Sequence, residues 1–194
     1  MKIGRATQLA VGAGLLALLG LAALRHALEL GMRPHMLAQY PLLMLSGALL
    51  GLAVPPRWRR ALGDWNTLGL SGMTTVAVFM AVLMIPRVLD LVLVDARAEF
   101  VKFAALLLAG ALLRSSWIAA GRVMQAFFLG GMLPMMIVAG TVYQDAPLRL
   151  CNGYRLDEQQ RLGEALICIA VAIAAAWLWR AGRELIADGE VQRA

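Results

Sequence analysis

Six apolar runs, each close to the length that crosses a bilayer, limit this chain more than any other feature. They cover Gln8 to Leu24, Met36 to Val54, Thr67 to Pro86, Phe100 to Ser115, Val123 to Tyr143 and Leu162 to Trp179. A spanning helix takes about 20 such residues. Helix is the expected state of each run, because an open strand leaves backbone groups unpaired in lipid. The alternating polarity of a membrane barrel is absent. The expectation is an all-α polytopic membrane protein over 1–194, a single bundle of about six transmembrane helices with short loops. The fourth run is the shortest.

Composition agrees. The chain is 61% hydrophobic and 15% charged, where a soluble domain carries about 25% charged residues. The formal charge of +6 does not point to nucleic acid. The basic residues stand singly or in small groups between apolar runs, as anchors and topology signals do. The N-terminal Met1-Lys2-Ile3-Gly4-Arg5 also suits the start of a signal peptide. No small-x-small cleavage site precedes Arg25, and the apolar run is long for such a peptide, so retention as a helix is expected.

Orientation follows from Lys and Arg. With the N-terminus inside, Lys2, Arg5, Arg57, Arg59, Arg60, Arg114, Arg122, Arg180, Arg183 and Arg193 are inside. The cluster Pro55-Pro56-Arg57-Trp58-Arg59-Arg60 has no counterpart on the other side. The expected location is a bacterial inner membrane, multi-pass, with both termini cytoplasmic. The loops holding His26, Met32, His35, Met36 and Cys151 then lie outside. Cys168 falls in the sixth run, at a different depth from Cys151, so the two are not expected to form a bridge.

Both histidines fall in the polar gap between the first two runs. His26, Met32, His35 and Met36 gather imidazole and thioether there, with Gln39 one turn further on the face of His35. Such donors suit Cu(I), and Cys151 in the last outer loop adds a thiol. The bland alternative is a polar histidine cap beside filler methionines. A second set comprises Arg87 with Asp90 and Glu99 with Lys102, each pair three apart on one helical face. These residues either order a surface loop or stand inside the membrane, where charge points to function. The apolar Val88 to Val94 between them suits a short interfacial helix. In the last outer loop, Asn152-Gly153 marks a turn. Asp157 with Gln160 suits a helix start, and the loop is expected to fold over the outer face. Pro41 and Pro134 interrupt the second and fifth helices.

His35-Met36, Gln39 and Pro41-Leu42-Leu43-Met44-Leu45 resemble the His-Met start of a helix in the CtaG-type membrane proteins. Gln39 is displaced by one position, and Tyr40 stands where a second histidine would be. The resemblance implies copper delivery during cytochrome c oxidase assembly, with a respiratory oxidase as partner. Trp65-Asn66, Ile85 to Asp90 and Leu150 to Tyr154 are also similar to small bacterial membrane proteins with no assigned activity. Nucleotide-binding loops, dinucleotide fingerprints, HExxH and Gly-x-Ser-x-Gly are missing from the chain, so a non-enzymatic role is expected. Beside copper handling stand two alternatives: a small transporter or channel, and a structural subunit of a membrane complex.

Overall fold

The computed structural model describes residues 4–191 and is predominantly helical, with no strand among the described residues. Lys2 and Arg193, both placed inside by sequence, lie outside the described residues. All six apolar runs are helical, but their arrangement differs from six simple spans. Three stretches are long and apolar enough to cross a membrane: Pro34–Ala53, Arg122–Asp145 and Leu156–Glu184. Two bent helix pairs raise the count to five. Among the described residues the expected count of six is therefore not confirmed.

The first run breaks into α1 (Arg5–Gly20) and α2 (Ala22–Glu29), bent by 71°. Leu21 between them takes an extended backbone. Next, Pro34–Gln39 is π-helical and leads into α3 (Tyr40–Leu50). Pro41 has no N–H and its ring crowds the preceding turn; a widened turn directly before it relieves both. Such π segments recur at functional sites. Here His35, Met36, Gln39 and Tyr40 are all buried.

α4 (Pro56–Trp65) and α5 (Leu70–Leu83) form the second bent pair. Its turn passes through Leu68 at φ 62° and Gly69 at φ 74°, a region glycine enters freely and leucine rarely. The Asn66 side chain steadies it, donating to Ser116 Oγ at 2.8 Å and accepting from the Gly72 N–H at 2.8 Å. Next comes α6 (Pro86–Val94), the short helix expected after Pro86. The fourth run is not short. It lies in α7 (Ala96–Ala119), 24 residues long and capped by Asp95, which accepts from the Arg97 and Ala98 N–H groups. α7 is not among the candidate spans. It packs against α3, α5 and α6 and carries Lys102 and Arg114 along its length.

α8 (Arg122–Asp145) contains Pro134, and α9 (Leu156–Val191) runs far past the Trp179 expected as its end. These two helices pack chiefly on each other. Glycines set both main crossings. A Cβ on Gly47 would overlap the Leu107 carbonyl, and one on Gly110 would overlap the Met44 carbonyl, so α3 and α7 touch backbone to backbone. Gly140 and Gly163 do the same for α8 and α9. Small residues let membrane helices approach this closely. Between α5 and α8 the packing leaves an apolar cavity of about 270 Å³, lined by Met73, Met124, Phe127, Phe128 and Met132 among others.

Gly110→Ala is expected to destabilise the bundle by about 1–3 kcal/mol, the range for overpacking. Gly130→Ala, where a Cβ meets nothing within 4 Å, should leave stability unchanged or slightly raised. Unfolding of the detergent-solubilised protein by sodium dodecyl sulfate titration reads both. Equal effects would refute the close crossing.

Candidate functional site

A buried charge organises the end of the bundle where α2, the π segment and the start of α7 meet. Lys102 lies in the second turn of α7 and is 0% exposed. Its Nζ reaches Glu29 Oε1 at 2.9 Å, Gln39 Oε1 at 3.0 Å and His35 Nε2 at 3.2 Å. An ammonium has three N–H donors, and all three are used. Gln39 Nε2 also donates to Glu29 Oε1 at 3.2 Å, closing a ring of Lys102, Gln39 and Glu29.

These bonds decide the histidine tautomer. With Nε2 accepting from Lys102, the imidazole is neutral and carries its proton on Nδ1. Nδ1 then donates to the Tyr154 hydroxyl at 2.5 Å. His35 also meets Tyr40 edge to face, with ring centroids 5.3 Å apart. The Tyr40 hydroxyl is buried and has no hydrogen-bond partner among the described residues.

A second ion pair runs beside the first. Arg25 Nε lies 3.0 Å from Glu99 Oε1. Glu99 and Lys102 therefore do not pair with each other along α7. Each crosses to α2, whose Arg25 and Glu29 stand four apart with the opposite order of charge. The two pairs leave the region neutral, which answers the cost of taking charge out of water.

The loop between α8 and α9 folds over this end, as expected from its sequence. Asp90 pins it by accepting from the Asn152 N–H at 2.9 Å, the Asn152 side-chain amide at 3.2 Å and the Gly153 N–H at 3.0 Å. Asp90 therefore serves the loop, and Arg87 is exposed without an ion-pair partner among the described residues. Gln159, not Gln160, holds the loop at α9. Its Oε1 accepts from the Leu150 N–H at 2.8 Å and its Nε2 donates to the Tyr143 carbonyl at 3.1 Å. Glu158 accepts from the Met32 N–H at 3.0 Å, tying the segment before α3 to the start of α9.

The sequence-predicted residues divide accordingly. His35, Gln39 and Lys102 come together directly, and Glu99 stands next to them. Met32, Met36 and Cys151 are buried in one apolar cluster with Tyr40 and Tyr154. His26 is exposed on α2. Burial, and then the Asp90 charge, push the Cys151 thiol up to about 11; it is thus a protonated thiol at neutral pH. Burial likewise raises the Tyr154 hydroxyl, helped by nearby Glu29. No group of three His, Cys, Asp or Glu side chains stands in metal-binding geometry among the described residues.

Glu29 and Tyr154 are the partners that sequence reasoning missed. Glu29 had a signal: Arg25 and Glu29 form a basic–acidic pair at helical spacing, inverse to Glu99 and Lys102. Tyr154 had none, since its contact spans 119 positions.

The chain matches no family model, no curated protein and no solved structure.

Lys102→Met leaves the half-buried Glu29 without its cation and should cost up to about 3–5 kcal/mol. Lys102→Met combined with Glu29→Leu removes both charges and should recover most of that loss. Denaturant titration of the three proteins checks this; a double variant as unstable as the single one would refute the ion pair as the determinant.

Proposed function

We propose that this protein is a small proton-conducting transporter or channel of a bacterial inner membrane, working through the Lys102 cluster at its outer end with both termini cytoplasmic. One observation carries the reading. A lysine with no exposure is bonded in series to a carboxylate, an imidazole and a phenol, from Glu29 through Lys102 and His35 to Tyr154. Each of these groups can both bind and release a proton, and ionisable chains inside a helix bundle are the usual material of proton relays. Glu29 is 14% exposed, so one end of the chain touches the outside of the protein. The π segment supplies His35 and Gln39 to the cluster, and interrupted helices line the sites of many transporters.

Proteoliposomes holding a trapped pH dye, with a potassium diffusion potential imposed, test the proposal. The protein should pass protons faster than protein-free vesicles. Tyr154→Phe, which removes one hydroxyl and little volume, should fall to the protein-free rate. Wild-type flux equal to that of empty vesicles, or full flux in Tyr154→Phe, refutes the reading.

Copper handling for a respiratory oxidase is the second reading, favoured by the burial of Met32, Met36 and Cys151 in one cluster beside the rings that flank His35. Thioether, imidazole and thiolate together suit Cu(I). The cost is specific. His35 must surrender Tyr154 or Lys102 to free a ring nitrogen, and Cys151 must lose its proton. Titration with Cu(I) against a chromogenic chelator should show one tight site lost in both His35→Ala and Met36→Ala. Unchanged binding in the two variants removes this reading.

A further inference from the structure

At the far end of the bundle, α7 ends, α8 begins and α9 leaves the apolar stretch that ends at Glu184. They enclose a cleft of about 360 Å³ whose lining includes Trp117, Arg122, Gln125, Trp177, Arg180 and Glu184. Lys102 and Trp117 are about four turns apart on α7, which separates the cleft from the outer cluster by ~22 Å at 1.5 Å per residue.

The charge of this cleft is positive for three reasons. Among the described lining residues two guanidiniums stand with one carboxylate, and that carboxylate holds Arg122 at 2.9 Å. Arg180 is exposed and has no ion-pair partner among the described residues. The C-terminus of α7 would contribute negative carbonyls, but the Gln125 amide covers two of them, donating to the Trp117 carbonyl at 3.1 Å and the Ala120 carbonyl at 3.3 Å. The N-terminus of the 24-residue α8 adds its own positive end.

Trp177 lies two turns before the Glu184 end of a candidate span, and Trp117 lines the same cleft; indoles favour the membrane–water interface. Ile118 beside them is 76% exposed, an apolar surface suited to acyl chains. Basic pockets between membrane helices on the cytoplasmic side take anionic headgroups.

We infer that this cleft binds the headgroup phosphate of an anionic phospholipid, with Arg180 as the main phosphate ligand and the two indoles against the glycerol and upper acyl chains. The inference stands independently of the proton reading, since it uses none of the same residues. Arg122 stays on Glu184 and shapes the wall, and Arg180 supplies the uncompensated charge. A guanidinium offers a phosphate two parallel N–H donors, so lysine would replace it only in part.

The test uses full-length protein in a neutral detergent, stripped of lipid. Dioleoylphosphatidylglycerol should raise Tm, whereas dioleoylphosphatidylcholine should raise it much less. Arg180→Gln should show the wild-type Tm without lipid and lose the shift from phosphatidylglycerol. Quenching of tryptophan fluorescence by dibrominated phosphatidylglycerol should fall in the same variant. Inorganic phosphate reproducing the whole Tm shift would make the ligand a free anion and overturn the lipid assignment. Equal shifts with the two lipids, or an undiminished shift in Arg180→Gln, would overturn it as well.

Discussion

An ammonium group cannot sit in an apolar bundle without partners, and one end of this protein is arranged around that fact. Lys102 arrives on α7, which packs against α3, α5 and α6. Three acceptors meet it: a carboxylate from α2, and an amide and an imidazole from the π segment. Removing water from a lysine is tolerable only when all its donors are met. The bend that separates α2 from α1 brings Glu29 inward. The widened turn before Pro41 brings His35 and Gln39 to the same place. Two irregularities of the backbone thus serve one buried charge.

The loop between α8 and α9 follows from the same requirement. Once Lys102 donates to Nε2, His35 has a proton to give on Nδ1, and Tyr154 receives it. Asp90 and Gln159 have no contact with Lys102. They hold the loop at both ends so that Tyr154 is in position. A carboxylate that by sequence looks like half of a surface ion pair with Arg87 is in fact a backbone acceptor for a loop 62 positions away.

Much of the architecture was readable from the chain. Long apolar runs imply helices because lipid leaves no alternative, and every run proved helical. The loop folded over one end of the bundle was readable too, from Asn152-Gly153. What was not readable depends on partners distant in sequence. Spacing shows that Glu99 and Lys102 share a face of one helix; it does not show that a second helix offers them better partners. Lengths were misjudged for a related reason. A 24-residue helix with Lys102 near its start resembles a short run when charge is taken as the boundary, although that charge lies inside the protein. The candidate site was half visible: His35, Gln39 and Lys102 stood out as polar groups in apolar surroundings, whereas Tyr154 looked like any loop tyrosine.

The two glycine crossings divide the molecule into stiff couples. α3 and α7 lie backbone against backbone, and so do α8 and α9. Along the seam between these couples, at α5 and α8, there are flexible methionines and an incompletely filled space instead. Any rocking of one couple against the other is accommodated there, at the softest contact. Tyr154 belongs to the loop of one couple, and His35 belongs to the other. Their hydrogen bond, with that of Glu158 on the Met32 N–H, therefore ties the two couples across the joint.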